Sequence, residues 1–217
     1  ICFSGHRRYP LGSNDPVLEE KSLELMKKCI ELAQDLGVRT IQLAGYDVYY
    51  EEKSPQTRQR FIKNLRKACD WAEEAQVVLA IEIMDDPFIN SIEKYLAVEK
   101  EIDSPYLFVY PDIGNVSAWH NDVYSEFYLG HHAIAALHLK DTYAVTESSK
   151  GQFRDVPFGQ GCVKWEEAFD ILKQTNYNGP FLIEMWSENC ETVEETRAAI
   201  QEAQAFLYPL IKKAGLM

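Results

Sequence analysis

The sequence predicts an α/β protein built as a parallel (β/α)₈ TIM barrel, and three observations support this fold class. Six short runs rich in β-forming residues are almost continuously apolar, as in strands that are buried on both faces. Amphipathic helical patterns separate the runs, as in consecutive βαβ units. Four of the runs carry a charged residue or a histidine near the C-terminal end, where barrel active sites are built. The six runs are ICFS (1–4), TIQLAG (40–45), VVLAIEIM (77–84), LFVYPD (107–112), AALHLKD (135–141) and PFLIEMW (180–186).

The predicted helices carry their own start and stop signals. Residues 17–36 repeat apolar side chains at steps of three and four, and Gly37 follows as a C-terminal stop. The next helix is predicted to begin after Ser54, because Pro55 suits the first helical position. Two later helices are predicted to begin at capping boxes, formed by Asn90 with Glu93 and by Thr192 with Glu195.

An open doubly wound sheet would show the same alternation of strands and helices. Dinucleotide-binding sheets of that kind carry a glycine-rich turn after the first strand, and this sequence has none. The barrel is therefore favoured, although six strands are found where a barrel has eight. Since the chain starts at Ile1, directly in an apolar run, we expect one barrel domain over residues 1–217 that lacks the first two βα units.

Composition restricts the partners of the protein. The formal net charge of −12 argues against nucleic acid, which is bound largely by neutralising its phosphates with Lys and Arg. The five cysteines are widely spaced and form no CxxC motif, which indicates reduced thiols in a cytoplasmic protein. No apolar stretch is long enough to span a bilayer, so we expect no membrane association.

Four side chains at the ends of consecutive apolar runs could hold one divalent metal ion. A carboxylate or imidazole among Leu, Ile, Val and Met is costly to bury unless it meets a partner, and one cation satisfies all four together. Three carboxylates and one imidazole suit Mn²⁺, Mg²⁺, Co²⁺ or Zn²⁺. Four unrelated, separately paired residues are the alternative, which their common position at strand ends disfavours. The predicted metal ligands are Glu82, Asp112, His138 and Glu184.

Longer strings in the chain are specific rather than degenerate. They are SGHRRYPLGS, IQLAGYDVYYEE, AIEIMDDPFINS, YPDIGNVSAWHNDV, HLKDT, VPFGQG and GPFLIEMWSE. Together they resemble the L-ribulose-5-phosphate 3-epimerase family (the L-xylulose-5-phosphate 3-epimerases of L-ascorbate utilisation), within the xylose-isomerase-like barrels. The resemblance runs from Ile1 to the end of the chain. It independently implies two βα units ahead of the SGHRR segment.

This resemblance implies an isomerase that interconverts L-xylulose 5-phosphate and L-ribulose 5-phosphate. The four predicted metal ligands match those of the family, and Glu82 and Glu184 also match its paired catalytic acid/base residues. Inverting a hydroxyl carbon beside a ketone requires proton removal from one face and proton return to the other. A metal ion at the C2 carbonyl and C3 hydroxyl would stabilise a cis-enediolate between these steps.

One position separates the sequence from the related hexulose 3-epimerases, which carry a histidine three residues after the aspartate ligand. Asn115 stands there, as in the branch that acts on sugar phosphates. The substrate-binding residues are otherwise harder to predict. The backbone of the FGQG turn (158–161) and the adjacent Arg7 and Arg8 are candidates for the phosphate, although one of the two arginines could instead form a surface ion pair. Lys140 and Asp141 could be a solvated loop pair. The substrate-binding candidates are His6, Arg8, Gln42, Asn115, Lys140 and Arg154.

Two rival functions fit the same barrel. An epimerase of free ketoses or an aldose–ketose isomerase would keep the metal site but would not require a phosphate group. A non-catalytic sugar-binding barrel would not exchange the C3 hydrogen of a sugar, and the intact pair of Glu82 and Glu184 argues against it. We expect a small sugar phosphate as the partner, and homo-oligomers could cover the strand edges that an incomplete barrel exposes.

Overall fold

The computed structural model describes residues 1–186, 188 and 190–217. Ser187 of the GPFLIEMWSE string therefore lies outside the described residues. The chain divides into two compact units, residues 1–110 and residues 111–217. In the described part of the chain, no helix is both long and apolar enough to cross a membrane.

The first unit contains a four-stranded parallel sheet whose strands follow one another in chain order. This order is that of consecutive βαβ units, each of which adds one strand beside the previous one. A short 3₁₀ helix, Ser4–Arg7, follows the first strand. The strands are β1 (Cys2–Phe3), β2 (Thr40–Ala44), β3 (Val78–Glu82) and β4 (Leu107–Tyr110), and the helices are α1 (Pro16–Asp35), α2 (Pro55–Ala75) and α3 (Ile92–Ile102).

Local capping chemistry sets the helix boundaries in this unit. Ser54 forms a reciprocal capping box at the start of α2, where Pro55 occupies the first helical turn as predicted. Gly37 adopts a φ of 68° just after α1, a left-handed conformation that suits glycine. The capping box predicted at Asn90 was wrong by one residue, because the N-cap of α3 is Ser91, whose side chain accepts a hydrogen bond from the Lys94 N–H.

Apolar side chains of β2, β3 and β4 fill the core of the first unit. Leu43, Leu79 and Val109 are almost fully buried, as the continuous apolar runs predicted for strands covered on both faces. Burying one such side chain contributes about 1.5–3 kcal/mol, so these strands hold the sheet firmly in register. The end of β3, where Glu82 stands, is therefore fixed by the packing beneath it.

The second unit combines two parallel strands with an antiparallel hairpin. Strand β5 (Leu137–Leu139) pairs with β8 (Phe181–Ile183) in parallel orientation. Strand β6 (Asp141–Tyr143) pairs with β7 (Gln152–Val156) in antiparallel orientation. The capping box predicted for the last helix is present at Thr192 and Glu195. The helices are α4 (Ile113–Ala118), α5 (Val123–Gly130), α6 (Trp165–Gln174) and α7 (Val193–Ala214).

Main-chain pairing brings three strand ends together in this unit. A parallel bridge joins Asp112 to His138, and the His138 N–H donates to the carbonyl of Pro111 at 3.0 Å. On the other side, the N–H of Glu184 donates to the carbonyl of Leu139 at 3.0 Å. Asp112, His138 and Glu184 thus lie side by side at the C-terminal ends of parallel chain segments.

Candidate active site

The three strand-end side chains of the second unit converge on a small buried volume. His138 Nδ1 lies 3.8 Å from Asp112 Oδ2 and 3.5 Å from Glu184 Oε2. One donor atom from each of the three residues lies within 4.8 Å of the other two. Asp112 and His138 are buried, and Glu184 is partly buried. This spacing allows the three side chains to share a single ion.

Helix α4 fixes the carboxylate of Asp112. Asp112 is the N-cap of α4, and its Oδ1 accepts a hydrogen bond from the backbone N–H of Asn115 at 2.8 Å. Gly114 is required in the first turn of α4, because a Cβ there would approach the Lys140 carbonyl oxygen to 2.6 Å. With Oδ1 used as the cap, Oδ2 is the oxygen of Asp112 that is directed at His138 and Lys140.

Lys140 is buried between two carboxylates, which corrects the alternative that Lys140 and Asp141 form a solvated loop pair. Its ammonium lies 3.0 Å from Asp112 Oδ2 and 3.0 Å from Glu184 Oε2. The same ammonium lies 5.2 Å from the centre of the Trp186 ring. Lys140 is 6% exposed and Asp141 is 1% exposed.

Burial and charge act in opposite directions on the two carboxyl groups. Burial raises the pKa of Asp112 well above its usual range, although the positive charge of Lys140 opposes this. Burial would also raise the pKa of Glu184, but its contact with Asp112 and the charges of Lys140 and His138 outweigh burial and leave that pKa lowered. A divalent cation at these oxygens would favour the ionised form of both groups.

The donor set fits a divalent metal ion. Asp112 Oδ2 and Glu184 Oε2 are shielded from solvent, and among the described residues their close contacts are the ion pairs with Lys140 and His138. Buried carboxylate oxygens in this state are costly unless a cation neutralises them. Two carboxylates and an imidazole suit Mn²⁺, Mg²⁺, Co²⁺ or Zn²⁺ rather than a structural zinc site of thiolates. These three residues could therefore hold a metal ion.

Glu82 occupies the corresponding strand-end position in the first unit. It is the last residue of β3 and is 6% exposed. The Nε2 of Gln42, on the neighbouring strand β2, donates a hydrogen bond to Glu82 Oε2 at 2.5 Å. Gln42, predicted as a substrate-binding residue, is thus placed to orient the carboxylate of Glu82.

His6, Arg7 and Arg8, which follow β1, differ in their exposure to solvent and in their packing. His6 is 1% exposed and packs edge-on against the Phe3 ring, with 4.7 Å between ring centres. Arg8 is exposed, whereas Arg7 is half-buried with its guanidinium 5.0 Å from the centre of the Tyr49 ring. Arg7 is therefore a candidate for anion binding that the sequence pattern did not single out from Arg8.

Asp141 binds the FGQG turn through its backbone. Asp141 Oδ2 accepts hydrogen bonds from the N–H groups of Gly159 at 2.8 Å and Gly161 at 3.1 Å. The N–H of Gln160 donates to the carbonyl of Pro157 at 3.1 Å. These three N–H groups are thus used within the protein, and the prediction that the backbone of this turn binds phosphate was wrong for them. Gly161 is required because a Cβ there would collide with the carboxylate of Asp141.

Three further donors complete the surroundings of Asp141. Its Oδ1 accepts from the N–H of Thr142 at 2.9 Å and of Val163 at 3.3 Å, and its Oδ2 lies 3.4 Å from the Trp165 Nε1. Unlike Asp112, this buried carboxylate is saturated by neutral N–H donors. Asp141 therefore serves the loop between β7 and α6 and has no free oxygen for a metal ion.

A cavity of about 400 Å³ adjoins Lys140 and Glu184 in the second unit. Trp186 lines it, and the Arg154 guanidinium lies 4.8 Å from the centre of the Trp186 ring. Lys140 and Arg154, both predicted to bind substrate, therefore approach the same indole ring. Arg154 reaches this region through its contact with the Trp186 ring, whereas Lys140 lines the cavity itself.

The family model described as xylose isomerase-like TIM barrel matches residues 1–210. The chain is 52% identical over its whole length to the putative L-ribulose-5-phosphate 3-epimerase SgbU of Haemophilus influenzae and covers 75% of that protein. The chain belongs to the L-ribulose-5-phosphate 3-epimerases of the xylose isomerase-like TIM barrel family. It is also 48% identical over its whole length to the L-ribulose-5-phosphate 3-epimerase UlaE of Escherichia coli O157:H7, of which it covers 73%.

Solved structures of related barrels share the fold at low sequence identity. The structure of an L-ribulose 3-epimerase matches 94% of this chain and 71% of its own with a TM-score of 0.75 and 19% identity. A D-allulose 3-epimerase from Methylomonas sp. matches 94% of this chain and 73% of its own with a TM-score of 0.72 and 18% identity. The predicted fold class and membership of the 3-epimerase family are confirmed.

Replacing Asp141 with Asn should destabilise the protein. The new amide group would set an N–H₂ against N–H donors that now meet a carboxylate oxygen. We expect Asp141→Asn to lower the free energy of unfolding by about 2–3 kcal/mol in urea denaturation. Asp155→Asn is the matched control, because Asp155 is exposed and has a φ of 55°, which Asn tolerates. A loss as small as in the control would contradict the structural role of Asp141.

Buried His6 should make stability fall as the pH falls. Burial lowers the pKa of His6 from 6.5 to about 4, more than contact with the Ala44 backbone raises it. Between these two values the unfolded chain binds a proton that the folded chain does not, so stability is retained above the upper value and lost towards the lower one. Relative to His6→Phe, we expect the wild type to lose up to about 3 kcal/mol over this range. Parallel pH profiles of unfolding free energy in the two proteins would contradict it.

Proposed function

We propose that the chain is a divalent-metal-dependent sugar-phosphate 3-epimerase that interconverts L-xylulose 5-phosphate and L-ribulose 5-phosphate. The observation that carries this proposal is the buried convergence of Asp112, His138 and Glu184 at strand ends, in a chain whose relatives are named as L-ribulose-5-phosphate 3-epimerases. An isomerase of this kind needs a cation and a base at one carbon. These residues could supply the ligands of the cation and a carboxylate as the base.

We infer that Glu82 is the fourth metal ligand. It ends β3 in the way that Asp112 follows β4, and barrel enzymes draw their catalytic residues from the C-terminal ends of several strands. Its burial at the end of β3 supports the role, because a carboxylate is costly to bury and a cation would offset that cost. When bound, the cation would polarise the ketone and stabilise the negative charge that develops as C3 loses its proton.

Glu82 and Glu184 are the proposed acid/base pair. One carboxylate removes the proton from C3 and the other returns a proton to the opposite face, which inverts the configuration at that carbon. Gln42 holds the carboxylate of Glu82 in place. A divalent cation bound at Glu184 would keep its carboxylate ionised and able to accept a proton.

For the phosphate group we propose Lys140 and Arg154, whose cationic groups both approach Trp186 beside the cavity. His6, Arg8 and Asn115 remain proposed substrate-binding residues, and Arg7 joins them because Tyr46 and Tyr49 hold its guanidinium. A cytoplasmic role in L-ascorbate utilisation and assembly into homo-oligomers are part of the proposal, on the strength of the sequence resemblance.

A second candidate is an epimerase of free ketoses. It is favoured by the solved structures that share the fold, among them the D-allulose 3-epimerase in complex with D-allulose. Both candidates use the same metal ligands and the same acid/base pair. The requirement for a phosphate group separates them.

Loss of the Glu184 carboxylate should abolish exchange at C3. We expect Glu184→Gln to slow the exchange of the C3 hydrogen of L-ribulose 5-phosphate with deuterated solvent by about 10²–10⁴-fold, because an amide cannot accept the proton. NMR of the sugar in the presence of Mn²⁺ measures this rate. Glu202→Gln is the control, since Glu202 also lines the cavity but is exposed. Exchange in Glu184→Gln at the rate of the control would refute the acid/base assignment.

Arg154 should discriminate between phosphorylated and free sugars. We expect Arg154→Met to raise KM for L-ribulose 5-phosphate about tenfold or more, through loss of a charged hydrogen bond, with little change for L-ribulose. Steady-state kinetics with both sugars measures the two values. An equal change for both sugars, or efficient turnover of the free sugar by the wild type, would favour the free-ketose epimerase.

A further inference from the structure

Lys140 occupies an unusual position for a substrate-binding lysine. Its ammonium lies 3.0 Å from Asp112 Oδ2 and 3.0 Å from Glu184 Oε2, and its side chain is 6–7% exposed. In the part of the chain that the structure describes, both oxygens are buried and lack a hydrogen bond of normal geometry. The proposed function assigns the same two oxygens to the divalent cation.

We propose that Lys140 competes with the divalent cation for Asp112 and Glu184, and that metal binding transfers its ammonium to the anionic group of the substrate. The inference rests on the proposed function and adds an order of binding, with the metal before the sugar phosphate. Two positive groups that share the same oxygens repel each other strongly, particularly where solvent is excluded. Cation binding therefore favours positions of the Lys140 side chain that lie farther from the carboxylates.

A cavity in the second unit could accommodate the released ammonium of Lys140. Lys140 lines the cavity of about 400 Å³ and already lies 5.2 Å from the centre of the Trp186 ring. Lysine has a flexible four-carbon stem, so its ammonium can turn about the indole without a change of backbone. Arg154 lies 4.8 Å from the centre of the same ring. The ammonium and the Arg154 guanidinium could then contact one anionic group beside the indole.

A fixed structural role of Lys140 predicts the opposite change in metal affinity. If Lys140 were a fixed counter-charge that positions both carboxylates for the metal, its removal would weaken metal binding. Competition predicts that removing the ammonium tightens metal binding. The sign of the change in affinity therefore decides between the two roles.

Isothermal titration of Mn²⁺ into the metal-stripped full chain, at one fixed pH and ionic strength, tests the competition. We expect Lys140→Met to bind Mn²⁺ about tenfold or more tightly than the wild type, and Lys140→Arg to stay close to the wild type because it retains the charge. Lys53→Met is the matched control, because Lys53 also bridges two carboxylates, Asp47 at 2.8 Å and Asp86 at 2.9 Å. Its affinity for Mn²⁺ should not change.

Thermal unfolding covers the case in which Lys140→Met is less stable. In EDTA the variant should melt below the wild type, because two buried carboxylates lose their counter-charge. Saturating Mn²⁺ should raise the melting temperature of the variant more than that of the wild type. Equal or smaller gains, or an unchanged or weaker Mn²⁺ affinity in Lys140→Met, would overturn the competition.

Sulfate serves as the probe for the transfer of the ammonium. We expect Mn²⁺ to raise the affinity for sulfate in the wild type by a larger factor than in Lys140→Met, in which only direct attraction by the metal remains. The same factor in both proteins would overturn the transfer. Failure of the wild type to bind Mn²⁺ would instead refute the proposed function, which distinguishes the two failures.

Discussion

The cost of burying charge at the strand ends is the constraint on which the site depends. Asp112 and Glu184 lie where apolar strands end, and neither Asp112 Oδ2 nor Glu184 Oε2 accepts a hydrogen bond of normal geometry from the described residues. Lys140 and His138 offset this charge in the protein itself. A cation would offset the remaining cost of burying these carboxylates, and main-chain pairing of the strands holds them side by side.

Two buried aspartates, Asp141 and Asp112, differ in role because their carboxylates have different hydrogen-bond and ion-pair partners. Asp141 is surrounded by backbone and indole N–H donors and fastens the FGQG turn to the hairpin. Asp112 uses one oxygen as a helix cap and directs the other at charged groups. The first carboxylate is therefore structural and the second is available for chemistry, although both follow apolar segments of similar composition.

Much of the fold and part of the candidate site could be predicted from sequence. Glu82, Asp112, His138 and Glu184 were singled out because a charge inside an apolar run is conspicuous and parallel strands expose their C-terminal ends together. The burial of Asp141 could not be predicted, because its partners belong to a loop about twenty residues later in the chain and no periodicity links them. The β6–β7 hairpin was missed for a related reason, since its strands are short and mostly polar.

Adjacent charged residues were the other source of error. Arg7 and Arg8 look alike in sequence, and only packing against Tyr46 and Tyr49 distinguishes them. A solvated loop pair was one alternative for Lys140 and Asp141, whereas Lys140 reaches inward to two carboxylates. Long flexible side chains can point to solvent or to the interior from the same backbone position, and local sequence does not decide which.

Anomalous X-ray scattering from crystals of the Mn²⁺-loaded protein tests the central claim most directly. We expect one strong manganese peak within coordination distance of Glu82, Asp112, His138 and Glu184. A peak bound only by exposed acidic residues, or no peak at these four side chains under saturating Mn²⁺, would contradict it.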